Sequence, residues 1–408
     1  MTTESRSATL LDAAEALRPW ILDVRRRLHR IPEVGLHIPK TQALVADEVR
    51  SLGLEPVLGR STSSVTAVIE GRAGGAGADR TIVLRGDMDG LPLTEDTGLD
   101  FASEHPGAMH ACGHDTHVAM LLGAARLLLD RRDAFAGRVV LMFQPGEEGY
   151  HGARFMLEDG LLEGIEGVPG AATFAIHIST RHRTGRLRLR NGPLLAAADR
   201  LLITVRGRGG HASEPFLALD PITIAAELII ALQLMVTRTV DALDPAVLTI
   251  ARVTAGTTNN IIPPSAELEG TMRTLSETVR ADVKDRIRRV AAGIAAAHGA
   301  EIDVVIEPGY PVTVNDGAFA DLVRSVGAEL AGADAVEDLP APIMGAEDFS
   351  YVLQRLPGAM VFLGARPDDA PLDTTPQNHS NLVVFDESPL PLGAATYAGV
   401  ALRHLAGG

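Results

Sequence analysis

The chain has 408 residues, 46% of them hydrophobic, and 37 basic against 52 acidic residues give it a formal net charge of −15. That length can bury a large core and divide into two domains, while the negative charge disfavours nucleic acid and acidic membrane surfaces as partners. One cysteine, Cys112, excludes an internal disulfide, so nothing requires an oxidising compartment.

The first twenty residues include acids and no long apolar core, which argues against a signal peptide. No run of about 18 uncharged apolar residues occurs, which argues against a membrane span. The expectation is a soluble, cytoplasmic protein. In chain order, Leu10 to Arg30 repeats apolar residues at helical spacing, and residues 71–77 read as a glycine-rich surface turn. Strand signals follow at Thr81–Leu84, Arg138–Phe143 and Ala172–Ile178, with helical patterns at His117–Leu129 and Gly152–Glu158 between them. Strand, helix, strand in that order predicts a mostly parallel central sheet flanked by helices, an α/β fold whose sites lie at the carboxyl ends of the strands. From about Arg200 the texture changes. Strands at Leu201–Val205, Ala246–Val253 and Ala266–Met272, with helices at Ile222–Val236 and Val279–His298, predict two helices against an antiparallel sheet. The first texture returns with a helix at Gly317–Leu330, a strand at Ala359–Leu363 and a last helix at Leu390–His404. The expected organisation is a catalytic metal-binding domain over residues 1–198 and 309–408, interrupted by an inserted α+β domain over 199–308.

The chemistry concentrates in a few short segments. Cys112 sits in Met109-His110-Ala111-Cys112-Gly113-His114-Asp115, and the acid pair Glu147-Glu148 follows a strand-like run downstream. Thiolate, imidazole and carboxylate together are the donors of borderline-soft divalent ions, and two such ions close together can ionise a water for attack on an amide. Asp87, Asp89, Glu147, Glu148 and His177 all fall at or just after predicted strand ends, which points to one shared cleft.

Arg85-Gly86-Asp87-Met88-Asp89-Gly90-Leu91-Pro92, the Cys112 segment, Phe143 to Gly149, Gly207 to Ala212, Thr258 to Pro263, Gly270 to Arg273 and Met344 to Phe349 occur in the order seen in one family. Nearly the whole chain resembles the cysteine-containing branch of the dinuclear-metal amidohydrolases: hippurate hydrolases, N-acyl amino acid aminoacylases and indole-acetyl-amino acid hydrolases, in the glutamate carboxypeptidase-like clan. The resemblance implies two divalent metal ions per subunit, manganese or zinc first and cobalt or nickel as alternatives, held by Cys112, His114, Glu148, His177 and His379. It implies Glu147 as general base and acid, a bridging Cys112 thiolate, and Asp89 orienting His114. Asp87 stays outside the metal set, because the cysteine branch does not use it. The inserted domain resembles a dimerisation or lid domain, in which His211 would bond the scissile carbonyl and Asn259 and Arg273 would lie near the substrate carboxylate. A homodimer or homotetramer through that domain is implied.

His110 and His117 are read as supporting or helix-surface residues. The implied reaction converts an N-acyl amino acid and water into a carboxylic acid and a free amino acid. Deacetylation of N-acetyl-diaminopimelate competes with it, as does a non-catalytic metal-binding homologue; retention of Glu147 beside Glu148 argues against the latter, since a binding protein needs no proton shuttle.

Overall fold

The segment Thr81–Asp87, Thr-Ile-Val-Leu-Arg-Gly-Asp, is buried at every position, as a strand must be when it pairs on both edges and is covered on its faces. In the computed structural model, which describes residues 3–75 and 77–407, it lies inside an eight-stranded sheet. The strand order is Val57–Leu58, Val65–Glu70, Arg138–Gln144, Thr81–Asp87, Ala171–Arg183, Gly358–Arg366, Leu187–Leu189 and Val336–Asp338. Four of its seven pairings are parallel, including the run from Arg138–Gln144 through Gly358–Arg366. Arg85 stands opposite Met142 and Ala175, and Phe362 opposite His177. Parallel strands end on the same side, so the chain leaves Asp87, Gln144 and His177 toward one rim.

Contacts divide the chain into two units: Met1–Leu194, Val314–Ala341 and Asp348–Gly408 form the first, Leu195–Thr313 and Pro342–Glu347 the second. The first has one apolar core in which helices His114–Leu129 and Leu390–Leu405 pack with strand residues such as Leu84, Leu141, Phe174 and Leu363. The continuous helix read from Leu10 onward is in fact two, Thr3–Ala16 and Arg18–Arg30. Pro19 lies in the first turn of the second, where a missing N–H costs nothing, whereas in a continuous helix it would remove a bond. Strand Ala171–Arg183 also runs five residues past the predicted end at Ile178.

The second unit is α+β. Its antiparallel sheet has the order Ala246–Ala255, Ser265–Thr274, Ala197–Arg206, Glu301–Pro308, one strand more than the three read from the sequence. Glu301–Pro308 is an edge strand with little burial, so its periodicity was weak. Helices Pro221–Thr239 and Glu277–His298 bury Ile224, Leu228, Leu232, Val283 and Ile287 against the sheet's Leu201, Ile203, Val205 and Leu268. Both begin on a side-chain cap, Asp220 accepting from the N–H of Ile222 and Ser276 from that of Val279. Helix Pro221–Thr239 is long and apolar enough, by length and composition, to cross a membrane. Here one face of it is core, and Glu227 and Arg238 interrupt the rest.

A buried ion pair ties helix to sheet in this unit. Asp199, with a fully buried side chain, receives two bonds from Arg280 at 2.7 and 2.8 Å and one from Lys284 at 2.9 Å. Burial pushes the Asp199 carboxyl up, but its bonds to Arg280 and Lys284 outweigh that and hold it below its ordinary value. Its contribution is therefore complete above the ordinary carboxylate range and lost as pH falls through the lowered folded value. Asp199→Asn keeps the volume but removes the buried carboxylate from Arg280 and Lys284, leaving Arg280 paired with the half-exposed Glu277 at 3.1 Å, so we expect about 3 kcal/mol less unfolding free energy at neutral pH, read as a lower urea midpoint. The variant should also lose the wild type's extra acid sensitivity below about pH 4. Equal midpoints would show that the pair contributes nothing net.

Candidate metal centre

The rim where the parallel strands end is built by polar residues that fix backbone, not only side chains. Arg85 Nε donates to Gln144 Oε1 at 2.9 Å, Gln144 Nε2 donates to Asp348 Oδ1 at 2.7 Å, and Asp348 Oδ2 accepts the N–H of Ala153 at 2.9 Å. The turn carrying Glu147 and Glu148 is thus held at both ends. Asp89 holds its middle, accepting the backbone N–H groups of Glu147 at 2.9 Å and Glu148 at 3.1 Å. Gly146 enters this turn at φ +70°, and a Cβ there would stand 2.6 Å from the Leu36 side chain. Gly113 does the same for the cysteine loop: at φ +85° it starts helix His114–Leu129, and its Cβ would meet Ile178 Cγ2 at 2.4 Å.

These turns bring together the five residues that the sequence singled out. Cys112 Sγ lies 3.4 Å from His177 Nε2 and 3.3 Å from His379 Nε2, and His379 Nε2 lies 3.1 Å from Glu148 Oε1. Donor atoms of Cys112, His114 and His177 fall within 4.8 Å of one another, as do those of Cys112, Glu148 and His379, and those of His114, Glu147 and Glu148. Donors sharing one zinc-sized ion, at about 2.0–2.3 Å from it, stand roughly 3–3.6 Å apart. The shorter contacts meet that spacing. The fit is tested independently by how buried atoms are bonded: among the described residues, neither ring nitrogen of His114 nor Glu148 Oε1 makes a well-aligned hydrogen bond, their near neighbours being Asp87 at 3.3 Å, Asp89 at 3.5 Å and His379 at 3.1 Å. Buried polar atoms are normally paired, and a cation supplies the missing partner.

Charge points the same way. Burial pushes the His114 imidazolium toward deprotonation, yet the nearby acids Asp87, Asp89 and Glu148 hold its pKa up at about 10. Burial raises the Cys112 thiol well above its ordinary value, and Glu148, Glu147 and Asp87 raise it further. Burial, with the charge of His117, drives His177 far toward its neutral form. A site that makes anions costly and retains protons is one where cations replace those protons.

Asp87, His114 and His117 also cluster, but two of these three are committed elsewhere. Asp87 faces the Arg85 guanidinium at 2.8 Å and bonds His117 Nδ1. The N–H of Ile178 donates to His117 Nε2 at 2.8 Å, so the neutral ring carries its proton on Nδ1, toward Asp87. His117 is fully buried and not on a helix surface, as the sequence allowed; it braces the backbone just after His177. His110 is buried too, with both ring nitrogens unpartnered. Asp89, expected to orient His114, lies 3.5 Å from His114 Nδ1. Asn378 received no role from the sequence, and its side chain bonds the backbone beside both Cys112 and His177. The only local signal was its place immediately before His379 in a polar loop.

Three further candidates lie in the second unit. His211 is exposed in the short strand Gly210–His211, paired with Ile261–Ile262 rather than in an open turn. The N–H of Ser213 donates to His211 Nδ1 at 3.1 Å, which leaves Nε2 as the N–H of the neutral ring. Asn259 is exposed close to the same strand pair, and Arg273, half-buried on strand Ser265–Thr274, donates to Thr271 Oγ1 at 3.2 Å.

An α/β scaffold with thiol, imidazole and carboxylate donors converging at its strand ends defines a metallo-hydrolase. The chain belongs to Peptidase family M20/M25/M40, whose sequence profile matches residues 83–403. It is 40% identical over 390 residues to thermostable carboxypeptidase 1 of Saccharolobus solfataricus, covering 95% of this chain and 96% of that one. It is 40% identical over 352 residues to N-acetyl-L-cysteine deacetylase of Bacillus subtilis, covering 86% and 82%. Among solved structures, the Bacillus subtilis YXEP protein, a dinuclear metal-binding peptidase of the M20 family, superposes with a TM-score of 0.82 at 33% identity, covering 96% and 99%.

Because the His114 imidazolium and the Cys112 thiol retain protons, loading the site with zinc at neutral pH should release them. Calorimetric titration in buffers of different ionisation enthalpy should show net proton release in the wild type and about one proton fewer in Cys112→Ala. Zinc uptake without proton release would remove both residues from the donor set.

Proposed function

We propose that the protein is a metal-dependent amidohydrolase that cleaves N-acyl amino acids to a carboxylic acid and a free amino acid, using two divalent ions. The observation that carries this reading is the Cys112 thiol shared by two donor groups, one completed by His114 and His177 and the other by Glu148 and His379, with Glu147 beside them. The relatives' names support this substrate class: a carboxypeptidase and an N-acetyl-L-cysteine deacetylase each act on an amide whose amine side is an amino acid. Mixed thiolate, imidazole and carboxylate donors suit zinc or manganese, with cobalt and nickel as substitutes. A thiol ligand is safest in a reducing compartment, which favours the cytoplasm.

Divalent ions held by Cys112, His114, Glu148, His177 and His379 would supply Lewis acidity to the scissile carbonyl and to the attacking water. Glu147, 6% exposed and anchored through its backbone N–H to Asp89, takes the proton from that water as its oxygen bonds to the carbonyl carbon. It then returns the proton to the amide nitrogen, which leaves with the electron pair of the C–N bond. Glu148, one residue on and bonded to the other oxygen of the same Asp89, is turned to the donor group with Cys112 and His379. One aspartate thus fixes both the proton carrier and a ligand.

In the second unit we assign His211 to the scissile carbonyl, where its Nε2–H is the kind of donor an oxyanion needs, and Asn259 and Arg273 to the substrate carboxylate. We infer a homodimer, or a tetramer built from it, through this unit. Ile222, Ile230 and Leu234 are 44%, 62% and 56% exposed along helix Pro221–Thr239, and strand Ala246–Ala255 is paired on one side only among the described residues. A second copy covers both features at once.

Glu147→Gln keeps size and hydrogen bonding but not the proton acceptor. Turnover of N-acetyl amino acids should fall about a hundredfold or more while bound metal and substrate affinity stay at wild-type level; near-normal turnover would show that another group activates the water. If His211 serves the site of the partner copy, mixing His211→Ala with Glu147→Gln should regenerate activity above either variant alone. Exchanged heterodimers without recovery would mean that His211 serves its own subunit or no reaction step.

A further inference from the structure

Three of the proposed donors come from three separate stretches of chain: Cys112 from the loop before helix His114–Leu129, His177 from strand Ala171–Arg183, and His379 from the long connection between Arg366 and Leu390. Something must keep those stretches in register. The Asn378 carboxamide touches all three. Its Nδ2 donates to the carbonyl of Cys112 at 3.2 Å and to that of Ile178 at 3.1 Å, and its Oδ1 accepts the N–H of Thr180 at 3.3 Å. The next N–H, that of His379, donates to the carbonyl of Ala111 at 2.9 Å. The site asks for two donors and one acceptor at the end of a short side chain. Among the natural residues an asparagine supplies that combination.

Two further observations raise the stakes of this clamp. His379 has φ +73°, a left-handed backbone that is strained for a residue with a Cβ unless its surroundings impose it. Its side chain is 54% exposed, so beyond its contacts with Glu148 and Cys112 little packing locates the ring, and the backbone bonds at 378 and 379 fix where it starts. The Ile178 carbonyl, moreover, also receives His177 Nδ1–H at 2.7 Å. That bond fixes which nitrogen of His177 faces Cys112, and Asn378 holds the carbonyl that makes it.

We propose that Asn378 is a positioning residue that sets the two donor groups against each other through the backbone of Cys112, Ile178 and His379, so that uptake of the metal pair depends on it. This deepens the dinuclear reading above and rests on it. The test uses full-length wild type, Asn378→Asp, Asn378→Ala and a control in the same loop, Thr375→Val, whose hydroxyl bonds only the Pro371 carbonyl. Each is titrated with cobalt(II), following metal per chain, the thiolate-to-cobalt charge-transfer absorption of Cys112, and the thermal midpoint of the metal-free protein. In both Asn378 variants the affinity for at least one ion should drop about 10–100-fold with an altered thiolate band, the metal-free midpoint should match wild type, and excess cobalt should restore turnover. The control should behave as wild type.

Wild-type affinity and spectra in both Asn378 variants overturn the inference alone. A metal loss that merely tracks a lowered metal-free midpoint also overturns it, since that is a folding defect. Wild-type protein that takes up cobalt without a thiolate band overturns the dinuclear function itself, and the inference with it.

Discussion

Negative charge buried at the end of a parallel sheet is the constraint on which the first unit turns. Asp87, Asp89, Glu147 and Cys112 are each 6% exposed or less, and His114 is fully buried among them. Asp87 faces the Arg85 guanidinium at 2.8 Å, and the His114 ring lies against both Asp87 and Asp89. These acids crowd around His114 and Cys112, and the raised proton affinities of both express the cost of gathering negative charge in a buried site. A divalent cation removes it. The same arrangement that destabilises the metal-free site is what gives it affinity for metal.

Such an arrangement persists only if the rest of the scaffold holds it. The strands beneath are apolar and closely paired, with Leu84, Leu141 and Ile176 buried. Above them, neutral and ionic bonds to the backbone do the holding. Asp348 reaches Ala153, Asp89 reaches Glu147 and Glu148, the Ile178 N–H reaches His117, and the Tyr397 hydroxyl spans from the Arg85 carbonyl to the Ile176 N–H. Most of these partners are themselves polar residues near the strand ends. A donor's direction is therefore set one link behind the donor, which is why residues with no metal role in the proposed mechanism bear on metal binding.

In the second unit the physics differs. Its core is one layer of helices on one face of an antiparallel sheet, and its candidate residues His211 and Asn259 are exposed, with local hydrogen bonds. Arg273 is the partly buried exception, and desolvation lowers its proton affinity. The buried Asp199–Arg280–Lys284 cluster is a fold device, joining helix Glu277–His298 to strand Ala197–Arg206.

Much was legible from the sequence. Continuous apolar runs such as Thr81–Leu84 mark buried parallel strands, alternation such as Leu201–Val205 marks a half-buried antiparallel one, and donor types at strand ends mark a metal site. These signals are local, since side-chain period and residue chemistry are properties of a few adjacent residues. Other features were not legible. Glu301–Pro308 is an exposed edge whose alternation is too faint to show, and the apolar spacing that continues across Pro19 masked the break between the two helices there. His117 could sit on either side of a helix until Asp87, thirty residues earlier, was seen to claim it. Asn378 and Cys112 are 266 positions apart, and no local pattern carries a bond across that separation. The candidate donors were thus nominated by residue type at strand ends and by the order of motifs along the chain. Which atoms face one another, which histidine nitrogen bears the proton and which backbone carbonyl holds it were decided only when the chain closed, because hydrogen bonds depend on distance in space and not along the chain.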